Sequence, residues 1–182
     1  MGNDAERGPT IIALMVLDYE SLPRVADECT TLTAFLEWQR ATLARKCEGL
    51  TADQLRLRAA PPSTLSLLGL VRHMADVERG WFRRGLAQES VDPIYSSEAD
   101  PDGDFDNVET ADADEAFAIW RAACEEARAI LAAHALDDTF PRKSTGQTIS
   151  ARWMLTHMVE EYSRHNGHAD LLRQRIDGAV GY

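Results

Sequence analysis

Four of the five histidines in this chain lie in two segments whose residue patterns predict helices. His73 lies in the first segment, and His157, His165 and His168 lie in the second, where Glu161 precedes His165 by four positions. Side chains four positions apart share one face of a helix, so Glu161 and His165 can reach the same point. Two imidazoles and a carboxylate leave coordination positions open for water or a substrate, as catalytic zinc and non-haem iron sites do.

The helical geometry also places these side chains toward the inside of the fold. At about 100° per residue, the histidines and the glutamate of the last segment fall within an arc of roughly 80°, beside an apolar stripe. His73 lies between Leu70 and Val77, on the inward edge of its own helix. We therefore predict that His73, Glu161 and His165 hold one divalent metal ion. The pattern alone leaves open the alternative that they are hydrogen-bonded packing residues.

Apolar periodicity and capping residues predict four long helices that would carry these residues. The predicted helices cover residues 30 to 47, 63–66 to 84, 112 to 134 and 150 to 176, with a short capped turn at residues 51 to 54. On the first helix, Glu37, Arg40 and Lys46 lie largely off the apolar stripe. No convincing strand pattern is present. The predicted fold is therefore an all-α four-helix bundle, in which sites form from inward-facing side chains of neighbouring helices.

Residues 86 to 111 are the least helical stretch and are rich in acids. Their spacing excludes an EF-hand, because glycine stands at the fourth position of the run and no glutamate stands at the twelfth. We expect a solvated acidic loop, with a cation site or a lid over a pocket as alternatives. The acids are Glu98, Asp100, Asp102, Asp104, Asp106 and Glu109.

Composition narrows the functional classes. The net charge of −11, from 30 acidic and 19 basic residues, disfavours nucleic acid and anionic membranes as partners. No run approaches the roughly 20 apolar residues of a membrane helix, and no export signal is evident. The three cysteines, Cys29, Cys47 and Cys124, are far apart and form no CxxC pair, which is typical of reduced thiols. We expect a cytoplasmic protein with a loosely ordered arm over residues 1–25 and one domain over residues 26–182.

Three segments resemble the DinB-like superfamily: FLEWQRATLARKCEGL at 35–50, LSLLGLVRHMADVERGWFRR at 65–84 and HMVEEYSRHNGHADLLRQRIDGAVG at 157–181. More narrowly, they resemble its actinobacterial branch related to the metal-binding domain of mycothiol-dependent maleylpyruvate isomerase. The resemblance runs from about residue 27 to the C-terminus. It implies a four-helix bundle in which a histidine of the second helix and two residues four positions apart on the last helix hold a divalent metal. His73, Glu161 and His165 match these positions, with the glutamate that is typical of the isomerase branch.

The resemblance also implies an activity. Relatives use the metal to activate a low-molecular-weight thiol such as mycothiol, in S-transfer to a small electrophile or in its isomerisation. Zinc is the metal we expect, with nickel, iron or manganese as alternatives. We expect no additional C-terminal domain after the metal helix, which disfavours maleylpyruvate isomerase itself. His157 and His168 have no counterpart in the pattern, and we expect them to support the ligands from a second layer.

Two other functional classes stay open. One is a non-enzymatic metal-binding bundle protein with a stress-related role. The other is a metal-dependent hydrolase that activates water. Glu160 could serve as the base of such a hydrolase, but it points roughly 100° away from Glu161 on the helix.

Two further expectations concern apolar surface. A wall beside the metal would be supplied by five residues: Leu70, Met74, Val77, Met154 and Met158. A homodimer is expected because Trp38, Trp81 and Trp153 offer a large aromatic surface, with burial of the tryptophans in the core as the alternative.

Overall fold

Four long helices form an all-α bundle in the computed structural model, which describes residues 19–142 and 145–181. The helices are Glu28–Cys47 (α1), Ala52–Arg56 (α2), Leu67–Glu78 (α3), Gly103–Asp106 (α4), Ala113–Ala132 (α5) and Ala151–Asp177 (α6), preceded by a 3₁₀ turn at Tyr19–Ser21. Helix α1 packs against α6, and α3 packs against α5 and also contacts α6. The predicted fold class is confirmed. The arm predicted for residues 1–25 falls mostly on residues 1–18, which lie outside the described residues.

Capping side chains set the starts of α3, α5 and α6 where the sequence predicted them, whereas α1, predicted from residue 30, begins at Glu28 after the cap Asp27. Each cap accepts a hydrogen bond from an amide that the helix itself leaves without an acceptor. The pairs are Ser66 with Gly69 at 3.1 Å, Asp112 with Glu115 at 3.1 Å and Ser150 with Trp153 at 3.2 Å. Helix α6 ends at Gly178, whose φ of 81° lies in the left-handed region that glycine tolerates.

Helix α3 continues beyond Glu78 as a π-helical segment, Arg79–Leu86. Such segments are rare and occur often at functional sites. Gly80, Trp81 and Arg84 of this segment line the same cavity as His73. The π-helical segment therefore extends one wall of the cavity beyond the predicted metal ligand, His73.

A short β-hairpin precedes α6 and adds strands that the sequence pattern did not predict. Its strands, Thr139–Pro141 (β1) and Thr148–Ser150 (β2), pair antiparallel with Phe140 opposite Ile149. Three residues per strand are too few for a period of two to be recognised. The hairpin buries Phe140 against the π-helical segment, where Gly85 leaves room for its ring.

A buried polar network joins the four long helices. Arg40 of α1 donates to both carboxylate oxygens of Glu78 at 2.7 and 2.6 Å. Tyr162 of α6 donates to Glu78 at 2.7 Å and accepts from Trp120 of α5 at 2.9 Å. Arg40 was expected off the buried stripe, but it is 2% exposed because Glu78 supplies a buried counter-charge. Lys46, also expected off that stripe, is buried and pairs with Asp170.

None of the helices in the two described ranges combines the length and the apolar character that a membrane span requires.

Candidate metal centre

Helix α3 carries His73, and a glycine on this helix lets α4 approach it. A Cβ atom at Gly69 would lie 3.2 Å from the ring of Phe105. That ring stacks on the imidazole of His73, with centroids 4.8 Å apart. Gly69 therefore allows close packing between the predicted ligand's helix and α4.

The structure brings the three predicted ligands together. Glu161 Oε1 of α6 lies 3.4 Å from His73 Nε2 and 3.4 Å from His165 Nε2. The imidazoles of His73 and His165 have centroids 4.7 Å apart. One potential ligand atom from each of the three residues lies within 4.8 Å of the other two. Residues 88 positions apart in the sequence thus converge on one point.

Two of the three separations among these atoms fit a divalent metal ion. The Glu161 contacts are long hydrogen bonds at 3.4 Å, since direct N–H···O hydrogen bonds cluster near about 2.9–3.0 Å. Zinc bonds of about 2.0–2.1 Å at tetrahedral angles hold neighbouring ligand atoms about 3.4 Å apart. The 3.4 Å separations match that value. Two imidazole nitrogens and a carboxylate oxygen are also a donor set that zinc accepts.

Asp104 is a residue of this centre that the sequence analysis did not identify. Its Oδ2 lies 2.7 Å from His73 Nδ1, and its side chain is 6% exposed. A carboxylate at this distance holds the proton on Nδ1, so Nε2, which faces Glu161, is the nitrogen that can coordinate a metal. Histidine ligands commonly have such a partner. A histidine ligand predicts a carboxylate partner, but the loop contains six acidic residues and the sequence does not distinguish one from another.

Two other side chains of α3 fix the acidic loop over the site. Arg72 donates to the carbonyl oxygens of Asp104 and Gly103 at 3.0 and 2.9 Å. The Asp76 carboxylate accepts backbone hydrogen bonds from residues 94, 95 and 96 at 2.6 to 3.1 Å. The expectation of a solvated loop is therefore wrong for Asp104, because its carboxylate is buried against His73. The loop contributes to the lining of a pocket, and a role as a lid stays a prediction.

The two histidines expected in a second layer take different positions. His168 Nδ1 lies 3.4 Å from Nδ1 of the ligand candidate His165. The ring of His157 stacks on Trp153, with centroids 5.2 Å apart, and its Nδ1 lies 3.4 Å from a carboxylate oxygen of Glu160. His157, Glu160 and Glu161 form a second group of potential ligands within 4.8 Å of one another. A supporting role for either histidine stays a prediction.

The charges around His73 favour a cation at the centre. Burial lowers the pKa of His73, but hydrogen bonds with Asp104 and Glu161 outweigh it and raise this pKa to about 9. Hydrogen bonds with His165 and His73 lower the pKa of Glu161, and they outweigh the opposing effect of burial. In the metal-free protein, a proton on His73 supplies the positive charge that a metal ion would supply.

Zinc binding is therefore expected to strengthen as the pH rises toward 9. Below a His73 pKa of about 9, the metal must displace a proton, whereas above it no proton is displaced. The association constant should rise about tenfold per unit between about pH 7 and 8.5, then level off. Competition with a chromophoric chelator at fixed ionic strength measures this dependence. An association constant that is flat over this range would contradict the raised pKa.

Comparison with known families identifies the relationship of this chain. The family model described as mycothiol-S-transferase matches residues 31–178, which include most of α1, all of α3, α5 and α6, and the three predicted ligands. The chain belongs to the mycothiol-S-transferase family. This membership agrees with the predicted DinB-like relationship, while the narrower likeness to the maleylpyruvate isomerase branch stays a prediction. A search of curated proteins found no match.

A cavity of about 670 Å³ lies beside His73 in this family member. One face of α3 and its π-helical extension lines it, together with the acidic loop and the hairpin. Of the five residues expected to form an apolar wall, Val77 lines the cavity. Leu70, Met74, Met154 and Met158 are fully buried instead, because they pack in the interior of the bundle. Trp81 and Phe140 supply apolar surface in their place.

The tryptophans chosen as a dimer surface differ in exposure. Trp38 is buried, Trp81 is half-buried in the cavity wall, and Trp153 is 45% exposed. The expectation of three exposed rings is wrong for Trp38, which packs edge-on against Tyr19. A homodimer and a cytoplasmic location stay predictions.

Proposed function

We propose that this chain is a divalent-metal-dependent S-transferase that joins the sulfur of mycothiol, or of a similar low-molecular-weight thiol, to a small electrophile. One observation carries the proposal: His73, Glu161 and His165 converge beside a cavity in a member of the mycothiol-S-transferase family. We infer zinc as the metal, because its bond lengths fit the spacing of the ligand atoms, with nickel, iron and manganese as alternatives.

Three protein residues would hold the metal. When bound there, the metal would lower the pKa of the thiol and so supply a thiolate near neutral pH. Three protein ligands leave a coordination position open, which a non-protein ligand needs in order to bind.

The residues around the ligands orient them. Asp104 holds the Nδ1 proton of His73 and so keeps Nε2 directed at the centre. Phe105 covers one face of the same imidazole. A ring held on one face and at one nitrogen has little freedom to rotate, so the donor atom is preorganised for the metal.

The nucleophile is assigned to an external thiol because the protein's own cysteines are unsuitable. Burial raises the pKa of the Cys47 thiol to about 12 and also raises that of Cys124, which lies near the Glu78 carboxylate. Only the thiolate is an effective nucleophile, so both are inert near neutral pH. Cys29 is exposed and is not among the described residues that line the cavity.

In the proposed reaction, the thiol gives up its proton to solvent and its sulfur forms a bond to a carbon of the electrophile. For a substitution, the leaving group departs from that carbon with the bonding electron pair. For an addition, the electron pair of the double bond moves to the neighbouring carbon, which then takes a proton from solvent. No net oxidation or reduction occurs in either case.

Thiol consumption is expected to require both the metal and the added thiol. Protein stripped with a chelator should lose the catalysed rate of coupling between mycothiol and 1-chloro-2,4-dinitrobenzene, and added zinc should restore it. Cys29→Ser, measured in parallel, should keep the rate of the unchanged protein. The absorbance of the aryl thioether, corrected for the uncatalysed reaction, gives these rates.

Two results would overturn this proposal. Catalysed coupling that persists in metal-free protein would show that the reaction does not require the metal. Loss of the rate in folded Cys29→Ser would assign the nucleophile to the protein.

A further inference from the structure

Two arginines and two aromatic rings line the same cavity as His73. Arg84 comes from the π-helical segment and Arg142 follows strand β1. Trp81 and Phe140 supply the rings, and the Arg142 guanidinium lies over the Trp81 ring, 5.1 Å from its centroid. The cavity lining therefore combines positive charge with apolar surface.

Glycine at position 80 makes room for the charge of Arg84. A Cβ atom at Gly80 would lie 3.0 Å from Nη2 of Arg84, so the guanidinium folds back one turn toward His73. Gly80 lies seven residues beyond His73, which corresponds to about 10 Å along a helix at 1.5 Å per residue. The guanidinium therefore lies roughly two helical turns beyond His73, measured along the helix axis.

Within residues 19–142 and 145–181, neither Arg84 nor Arg142 has a carboxylate partner. The adjacent Arg83 differs, since it pairs with Glu89 at 2.6 Å and Glu126 at 3.3 Å. The two cavity carboxylates are already engaged: Asp76 accepts backbone amides, and Asp104 holds His73. Half-buried guanidinium groups are stabilised by an anion, and their planar donors match a carboxylate in particular.

We propose that the electrophile carries a carboxylate, which binds between Arg84 and Arg142 while its apolar body lies against Trp81 and Phe140. This inference rests on the proposed S-transfer and specifies its substrate class. The carboxylate is assigned to the electrophile because mycothiol, a sugar-linked thiol, has no carboxylate. The carboxylate binds unchanged: the carbon–sulfur bond forms at the far end, the leaving group takes its electron pair, and the thiol proton goes to solvent.

Binding can be tested without any reaction. In calorimetric titration of zinc-loaded protein, 3,5-dinitrobenzoate should bind at least about tenfold more tightly than its methyl ester, as expected for a charge-assisted bidentate contact in a partly open cavity. Arg84→Met and Arg142→Met should each remove most of this preference. Arg83→Met is the matched control, because Arg83 is the next residue and pairs with acids outside the cavity, and it should keep the preference.

Turnover gives the second arm of the test. With mycothiol and zinc-loaded protein, the ratio of kcat/KM for 4-chloro-3,5-dinitrobenzoate to that for its methyl ester should fall about tenfold in Arg84→Met and stay unchanged in Arg83→Met. Circular dichroism melting curves of the variants verify that they are folded.

The two proposals fail in different ways. Equal binding of the acid and the ester, or a preference that survives both Arg84→Met and Arg142→Met, overturns the carboxylate site. Displacement of 3,5-dinitrobenzoate by mycothiol also overturns it, because the part of the cavity that Arg84 and Arg142 line would then bind the thiol. An arginine-dependent preference without coupling of either chloro compound to thiol supports the carboxylate site and overturns S-transfer.

Discussion

His165→Ala is expected to reduce zinc affinity by more than about 100-fold and to leave little metal in the purified protein. Loss of a partner that only orients a ligand already costs about 10- to 100-fold in affinity, and His165 would contact the metal itself. The remaining pair, His73 and Glu161, would hold the ion with two bonds in place of three. Elemental analysis of protein purified without a histidine tag measures the content, and chelator competition measures the affinity.

Two further variants provide a comparison for the loss of zinc affinity. Asp104→Asn should cost zinc affinity about 10- to 100-fold, because it weakens the group that orients His73 without removing a ligand. His134→Ala should leave the metal content unchanged, since His134 lies at the end of α5 with Nδ1 2.8 Å from the carbonyl oxygen of Ile130. Such a contact is typical of a histidine at a helix C-terminus. Unchanged zinc stoichiometry in folded His165→Ala would refute the ligand assignment.

Arg40→Met is expected to lower the free energy of unfolding by about 3–5 kcal/mol, the usual cost of removing one partner from a buried ion pair. The Glu78 carboxylate is fully buried, and Arg40 makes two of its hydrogen bonds. Without the guanidinium, Glu78 would keep its hydrogen bond from Tyr162 but would lose its counter-charge. Urea unfolding followed by circular dichroism measures the change.

A double variant separates an unpaired buried charge from a general loss of packing. Arg40→Met with Glu78→Leu removes both charges and should be more stable than Arg40→Met alone. Arg164→Met is the surface control, because its pair with Glu160 is exposed, and its unfolding midpoint should hardly move. If the double variant were less stable than the single one, the network would stabilise the fold through side-chain packing and not through charge pairing.

Much of the helical framework, and the placement of two of the three ligand candidates on one helix face, could be predicted from local patterns. Ser66, Asp112 and Ser150 mark helix starts because a cap acts within three residues of itself. Glu161 and His165 could be paired because their spacing is fixed by the helix. The addition of His73 depended on its position on an inward face and on a family resemblance, since no local pattern relates α3 to α6.

The contacts that could not be predicted are those that no helical or strand periodicity of the sequence indicates. Asp104 lies 31 residues from His73, in a stretch where neither helical nor strand spacing distinguishes one acid from another. Arg40 was assigned to a polar face because a single apolar stripe says nothing about a counter-charge on another helix. The four buried members of the expected apolar wall were misplaced for a related reason: the pattern separates buried from exposed side chains but not core from cavity.

The metal-ligand candidates and part of the cavity lining lie on different elements, and this affects how the cavity can change in evolution. The three predicted ligands lie on helices of the bundle, whereas Pro93, Ser96 and Pro101 of the cavity lining lie in the acidic loop. Asp76 holds one part of this loop through three backbone amides, with one further hydrogen bond from the Ser96 hydroxyl, so most of this contact does not depend on the side chains of residues 94 to 96. Substitutions in this stretch can therefore change the shape of the cavity while the metal ligands stay in place. Provided that Asp104 is kept, relatives could evolve new substrate ranges by exchanging a single loop.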